Sequence, residues 1–483
     1  MKFLKIARIP ILLFALCYEV LLVQMKYVDL YKYNILLFVV LVFLGVRAFR
    51  FGRFKYSNAY FIVLLTIPFY ILTDTLFYGT IIDQDRLLTT PLLNNIPVIF
   101  YVSCWANISL IGFLLGIALS SNNIRGVVQL NQPALKTNVL SLNAFVLFII
   151  LLTGLYYYIS PKGDILTGYY SDIRDTKNDG GFSGLSYVLQ NLLLILYIDF
   201  KQMRISKNRK VKMIIWSVSF AYIVLFLHLL KGERTIAGMC FSVFLLHLLY
   251  RSDTTDLPQF QNRLLNSVRN FKPLRFKTKK RRNGMLILLL VAFLGSFYFL
   301  GFIRNENSTE VSGSSPLTLL LNSYKMGTWK GGFYAALGMA DEYTNTDFEY
   351  LNGQTYLDYI LSLPPSFVAS ALDYERPISS TTGPGYWYLG YTIGGLSPII
   401  VPFKNFGFTG ILVIMMLWGA GIVYMEQKLL NKPGGDVAFK RYLYAAFMLA
   451  MPHLFWYGEM YLVRSIMSAL IVYYLYQKLP KRA

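Results

Sequence analysis

The sequence predicts an all-α polytopic membrane protein with about twelve transmembrane helices and one large extracytoplasmic loop. Hydrophobic residues make up 55% of the 483 positions and charged residues only 15%, which is too little polar surface for a water-exposed chain of this length. Apolar stretches of about 20 residues, the length that crosses a bilayer as a helix, recur along the chain. The 46 lysines and arginines are concentrated in alternate connections between these stretches.

The apolar stretches divide into twelve predicted spans, since a backbone in lipid must satisfy its hydrogen bonds within its own helix. These spans are 9–25, 34–47, 59–78, 96–119, 138–159, 185–200, 213–230, 235–250, 284–303, 408–425, 442–457 and 461–477. The first follows a basic start but lacks a small-residue cleavage site, so we expect it to remain as helix 1. The chain then divides into 1–303 with helices 1 to 9, the loop 304–405, and 406–483 with helices 10 to 12.

Positive charge predicts the orientation of these spans. With the N-terminus in the cytoplasm, every cytoplasmic connection is rich in lysine and arginine, so both termini are expected on the cytoplasmic side of the membrane. The connection 251–283 is the most basic, and its apolar residues at helical spacing predict a helix on an anionic leaflet, with a regulatory contact as the alternative. The net charge of +21 therefore indicates contact with membrane lipids and not with nucleic acid.

The outer side of the predicted membrane protein carries one long polar segment, 304–405. Loops longer than about 15 residues are usually functional. An acidic run follows residue 340, and the apolar residues between 356 and 372 predict a helix docked on the membrane surface. A shorter outer loop covers 160–184.

Arginines on the outer side are the strongest candidates for chemistry. Arg234 lies in the charged turn 231–235 at the start of predicted helix 8, where the helix dipole disfavours a cation. An anion bound there would explain it, because free N–H groups and a guanidinium fork both bind phosphate. Pairing with Glu233 or with a lipid phosphate is the alternative.

Further arginines could share that anion. Arg174, Arg304 and Arg376 lie on outer segments. Arg464 lies within predicted helix 12, where a charge is costly unless it faces a partner such as Glu459, a substrate phosphate or a wet cavity. Together these arginines predict an outer cavity that holds two anionic groups.

Other polar residues give weaker signals. Asp83 and Asp85 have the spacing with which some glycosyltransferases hold a divalent metal, but such a pair is common by chance. Glu19 and Asp74 lie in or near predicted helices 1 and 3. We expect them to be buried carboxyls with a hydroxyl partner, and the alternative is that they bind protons or line a polar cavity. The cysteines and histidines are scattered, so we predict no disulfide framework and no metal site. The cysteines are Cys17, Cys104 and Cys240.

Several motifs resemble the Wzy-type O-antigen and oligosaccharide repeat-unit polymerases. They are the Gly232-Glu233-Arg234 turn, the Leu363-Pro364-Pro365 and Glu375-Arg376-Pro377 elements, and the stretch Asn405-Phe406-Gly407-Phe408-Thr409-Gly410. The resemblance implies a GT-C-like fold and a metal-independent, inverting glycosyltransferase without a cofactor. Its substrates would be oligosaccharides linked to undecaprenyl diphosphate, and a chain-length regulator would be a further partner.

The resemblance also implies site residues. Outer arginines of this family are thought to hold the two lipid diphosphates, and Arg174, Arg234 and Arg376 match that role by position. One departure is that Phe403 and Lys404 stand where an acidic residue often precedes the Asn-Phe-Gly element. The general base stays open among five outer residues. These are Glu233, Asp341, Glu342, His453 and Glu459.

Three other functions compete with a polymerase. A flippase for lipid-linked oligosaccharides would have paired halves and short loops, which the segment 304–405 disfavours. An O-antigen ligase would carry a histidine in its large outer loop, and this loop has none. A purely structural membrane protein is the third alternative.

Overall fold

The computed structural model describes residues 8–51, 95–120, 191, 330–361, 372–374, 399–426 and 437–478, and these are almost entirely helical. The helices are α1 Arg8–Met25, α2 Tyr31–Phe51, α3 Ile96–Ser120, α4 Lys330–Asn345, α5 Gln354–Leu361, α6 Ile400–Glu426 and α7 Val437–Lys478. A 3-10 turn, Val28–Leu30, leads into α2. Within this part of the chain, α2, α3 and α6 are long and apolar enough to cross a membrane, and α1 is a shorter apolar helix. The prediction of a helical membrane protein is thus confirmed in its coarse form.

Helices occur where predicted spans 1, 2, 4 and 10 were expected, and α3 begins at the predicted residue. The predicted spans between 52 and 94 and between 121 and 303, the loops 160–184 and 251–283, and the aspartates near 83 lie outside the described residues, apart from Asn191. The number of twelve spans therefore stays a prediction.

Helix α3 forms the core of the described bundle. Every side chain from Val98 to Ile117 is buried, and α1, α2, α4 and α6 all pack against this helix. A helix that is apolar on all sides is suited to such a central position or to contact with lipid. Helices α1 and α2 instead expose large apolar side chains such as Phe14 and Phe43, as lipid-facing helices do.

Small residues bring α3 and α6 into backbone contact. A methyl group added at Gly116 would lie 2.0 Å from the Met416 carbonyl oxygen, and one added at Gly419 would lie 2.2 Å from the Phe113 carbonyl oxygen. Gly112 and Gly116 form a Gly-x-x-x-Gly pattern, which allows close helix packing in membranes. Gly112 lies against Leu412 and Gly116 against Met416, so α3 and α6 run parallel. This direction agrees with the predicted order, in which spans 4 and 10 both cross the membrane from outside to inside.

Helix α7 contains a reversal of the chain. The Tyr442 hydroxyl donates to the Ala469 carbonyl at 3.0 Å, and the Phe439 and Tyr473 rings lie 4.7 Å apart. A straight helix would separate residues 442 and 469 by roughly 40 Å, so the two ends of α7 lie side by side as a hairpin. Pro452 and Gly458, which both disfavour a regular helix, lie between these two ends in the sequence. Predicted spans 11 and 12 correspond to its two arms.

The chain divides into two compact units. The first contains Met1–Val127, Lys325–Lys432 and Ala450–Met467, and therefore includes α1 to α6. The second contains Val128–Tyr324, Pro433–Leu449 and Ser468–Ala483. Within the second unit, the Asn191 side chain donates to the Ser468 hydroxyl at 2.7 Å.

Candidate functional site

The predicted large loop is folded onto helices in the part that the structure describes. Helix α4 and helix α5, joined by residues 346–353, both pack against α6, and α4 also packs against α3. Helix α6 begins at Ile400, eight residues before the predicted span, and is interrupted at Gly407. We call residues 330–361 and 399–408 the loop platform. The predicted helix at 356–372 corresponds to α5, which is described only as far as Leu361.

Asn405 positions α5. Its side-chain oxygen accepts hydrogen bonds from the backbone N–H groups of Gly353 (3.0 Å) and Thr355 (3.3 Å). Its amide nitrogen donates to the Thr355 hydroxyl (3.0 Å) and to the Val401 carbonyl (2.8 Å). Asn405 is completely buried, and this arrangement satisfies the free N–H groups at the start of α5 from a different helix.

Lys404 holds α4 to the start of α6. Its ammonium group lies 2.6 Å from a carboxylate oxygen of Glu342 and 4.2 Å from the centre of the Phe348 ring. The Lys404 side chain is only 9% exposed, so its charge needs these partners. The Lys404 backbone also takes part, because its carbonyl oxygen accepts a hydrogen bond from the Leu351 N–H at 2.9 Å.

Aromatic side chains fill the space between α3, α4 and α6. Phe403 is the centre of this aromatic cluster and is completely buried. The ring centres nearest to it, at 4.1 to 6.3 Å, belong to Trp105, Phe408, Tyr343, Phe348 and Tyr350. The pairs with Tyr343, Tyr350 and Phe408 are edge-to-face, an arrangement that stabilises beyond apolar burial. Partial burial and the neighbouring Tyr343 raise the pKa of Tyr350, which therefore remains a neutral hydroxyl at physiological pH.

Gly407 ends the first part of α6. Its backbone has φ 65° and ψ −153°, a region that only glycine adopts readily. The Phe406 ring stacks on Tyr356 at 6.1 Å, and its edge lies where a methyl group on Gly353 would come within 3.1 Å. Four consecutive residues thus have four different roles. Asn405 caps α5, Phe406 stacks on Tyr356, Gly407 interrupts α6, and Phe408 belongs to the aromatic cluster.

A second group of polar side chains lies between α1, α2 and α3. Asn107 donates to a carboxylate oxygen of Glu19 at 2.5 Å and to the Asn34 carbonyl at 3.0 Å. The Asn34 amide donates to the Cys104 sulfur at 3.1 Å and to the Ser103 hydroxyl at 3.4 Å. We call these residues the buried polar cluster. The expected burial of Glu19 is correct, but its partner is an amide and not a hydroxyl.

The structure describes the backbone of few of the predicted site residues. Arg174, Glu233, Arg234, Arg304 and Arg376 lie outside the described residues. His453, Glu459 and Arg464 lie on α7, where the chain reverses, but their side chains are also outside the description. The five arginines among these residues form the predicted diphosphate site, and Glu233, His453 and Glu459 are candidates for the general base. Both assignments stay predictions.

Two of the base candidates are described. Glu342 forms the ion pair with Lys404 described above. Asp341 accepts from the Asn345 side chain at 2.6 Å on an exposed surface. In the described part of the chain, no group of three or more His, Cys, Asp or Glu side chains could hold a metal ion.

Two parts of this arrangement were not predicted from the sequence. One is the contact between Lys404 and Glu342, which joins residues 62 positions apart in the sequence. The polar cluster could have been suspected from Asn34, Ser103 and Asn107, since polar residues within apolar spans usually find one another.

The described geometry provides an ordered polar and aromatic surface at the start of α6 and a carboxylate buried among amides. No family model, curated protein or solved structure matches the chain.

Proposed function

We propose that this chain is a metal-independent, inverting glycosyltransferase that joins oligosaccharide repeat units carried on undecaprenyl diphosphate, at the outer face of a bacterial cytoplasmic membrane. The sequence supports this through its resemblance to the Wzy-type polymerases and through the arginines on its predicted outer segments. The apolar helices support a membrane location.

The loop platform is the structural observation that most favours this proposal. A connector between spans needs no partly buried ion pair, yet Lys404 and Glu342 form one. Asn405 also makes three hydrogen bonds to Gly353 and Thr355 at the start of α5. Ordering a segment in this way costs conformational entropy that such contacts must offset. A folded loop of this kind suits an enzyme that works at the membrane surface better than a flippase with short connections.

The chemistry requires charge stabilisation more than covalent help. Undecaprenyl diphosphate is already a good leaving group, so the enzyme has to neutralise its developing charge and to orient the acceptor hydroxyl towards the anomeric carbon. In our proposal, Arg234 with Arg174 and Arg376 binds the diphosphates, and Arg304 and Arg464 add positive charge to the same cavity. A carboxylate or His453 would take the acceptor proton.

Replacement of Arg234 tests the proposal. We expect Arg234→Ala to reduce chain growth roughly a hundredfold, equivalent to about 3 kcal/mol, because it removes a bidentate contact to the leaving diphosphate. Arg234→Lys should remain severely defective, since lysine offers a point charge and not a planar fork. The measurement is polymer length and lipid-linked intermediates in cells, with protein level checked. Arg263→Ala, in the predicted cytoplasmic loop, is the matched control.

The accumulated intermediate separates the proposed function from its rivals. A polymerase defect leaves single repeat units on the outer leaflet. A flippase defect leaves them on the inner leaflet, and a ligase defect leaves finished polymer on its lipid carrier. Either of the last two results, or normal polymer in Arg234→Ala, would contradict the proposal.

A further inference from the structure

The buried polar cluster contains a carboxylate in an otherwise apolar helix interface. Glu19, Asn34 and Asn107 are each completely buried, and they come from the three helices α1, α2 and α3. The titratable groups that the described helices bring to Glu19 are the Cys104 thiol, which also hydrogen-bonds to its carboxyl group, and the Tyr18 hydroxyl, and neither is a cation. An isolated buried carboxylate is costly unless a positive charge compensates it.

In this cluster, both asparagine side-chain nitrogens are used as hydrogen-bond donors, but several side-chain oxygens have no donor. Asn107 donates twice through its side-chain nitrogen, and so does Asn34. Three oxygens remain without a donor in the described structure: Glu19 Oε2, Asn34 Oδ1 and Asn107 Oδ1. Each buried oxygen without a partner costs about 1–3 kcal/mol.

Rotation of the amides does not remove this excess. Turning the Asn107 amide over would place its oxygen against Glu19 Oε1 and the Asn34 carbonyl oxygen, which are both acceptors. Turning the Asn34 amide over would likewise remove its donor from the Cys104 sulfur. The cluster therefore keeps three buried acceptor oxygens and has no amide donor left to pair with them.

We propose that Glu19, Asn34 and Asn107 form a binding site for a monovalent metal cation, with Na⁺ as the ion. Hard cations take carboxylate and carbonyl oxygens as ligands, and the three free oxygens are of these kinds. One carboxylate balances one positive charge, so a monovalent ion leaves the site neutral within the apolar bundle. A bound ion would tie α1 and α2 to the central helix α3.

Stability of the full-length protein in lipid nanodiscs tests this proposal. An ion that binds only the folded state raises the melting temperature with its concentration. We expect NaCl to raise the melting temperature of the wild type in a saturable way, relative to choline chloride at equal ionic strength. Glu19→Gln and Asn34→Ala should weaken the apparent sodium affinity at least about tenfold. Glu349→Gln, which removes an exposed carboxylate, should respond to sodium like the wild type.

Direct binding of radioactive ²²Na⁺ to the wild-type protein covers the case in which the variants do not fold. Binding that unlabelled NaCl displaces, and choline chloride does not, would support the site. Equal melting temperatures in the two salts, or an unchanged sodium response in Glu19→Gln, would overturn it. A melting temperature that depends on pH but not on sodium would also overturn it, because Glu19 would then carry a proton in place of the ion. The proposed polymerase activity does not enter this test.

Discussion

Single residues at the start of α6 hold the loop platform to the bundle. Asn405 uses both its oxygen and its nitrogen, and Lys404 combines an ion pair with an aromatic contact. Their neighbour Gly407 has a backbone conformation that other residues avoid. The stretch from Asn405 to Gly407 therefore has a structural role in attaching the loop platform.

The role of Asn405 predicts a specific defect. Asn405→Ala leaves the buried N–H of Thr355 without an acceptor, and we expect a loss of about 2–3 kcal/mol in the attachment of α5. Limited proteolysis of the full-length protein in nanodiscs should show faster cleavage between residues 346 and 361. Asn345→Ala is the control, since that side chain is exposed. Equal cleavage in the two variants would mean that Asn405 does not hold α5.

At the scale of elements, the pairing of α3 with α6 depends on glycine. Lipid tails give no hydrophobic drive for two helices to associate, so close backbone packing must supply the attraction. Gly112, Gly116 and Gly419 allow that approach from both helices. Polar contacts between Glu19, Asn34 and Asn107 join α1 and α2 to the same central helix by a different means.

Two glycine variants separate the effect of close helix packing on stability from the effect of helix propensity. A methyl group at Gly116 collides with the Met416 carbonyl, whereas one at Gly421 meets no atom within 4 Å. We expect Gly116→Ala to lower the free energy of unfolding by about 2 kcal/mol or more. Gly421→Ala should be neutral or stabilising by roughly 0.5 kcal/mol, because alanine is the better helix former. Thermal unfolding in nanodiscs measures both, and a stable Gly116→Ala protein would show that α3 and α6 are not in close contact.

For the molecule as a whole, the sequence predicted positions better than contacts. Helix α3 was predicted to within one residue at each end, because a long apolar run has clear limits. The pairing of Lys404 with Glu342 was not predicted, since it joins residues 62 positions apart and no local pattern encodes it. Similarly, Glu19 was recognised as a buried carboxyl, but its partner Asn107 is 88 residues away.

The interruption of α6 was also missed, although its glycine was noted within the motif. Hydropathy is continuous from Ile400 to Met425, so composition alone describes one span. The conformation at Gly407 becomes visible only in the backbone. Of the predicted diphosphate-binding arginines, the structure describes only Arg464, and only its backbone; the same holds for the base candidates His453 and Glu459.

Reporter fusions test the predicted topology of the whole chain. Alkaline phosphatase should be active after Asn178, Lys231 and Asn345, which we expect outside, and inactive after Lys207, Lys277 and Ala483, which we expect inside. A fluorescent protein that matures only in the cytoplasm should give the opposite pattern at the same sites. A cytoplasmic signal after Asn345 would place the loop platform on the wrong side for the proposed reaction.

The break at Gly407 has a consequence for the fit of α6 to the bilayer. An unbroken helix of 27 residues would be about 40 Å long, well beyond a hydrocarbon thickness of roughly 30 Å, and would have to tilt. The part from Phe408 to Glu426 is roughly 28 Å long, which matches that thickness without strong tilt. The residues before Gly407, with buried Lys404 and Asn405, are thereby excluded from the hydrophobic length. The helix break thus removes a hydrophobic mismatch that the composition of α6 would otherwise create.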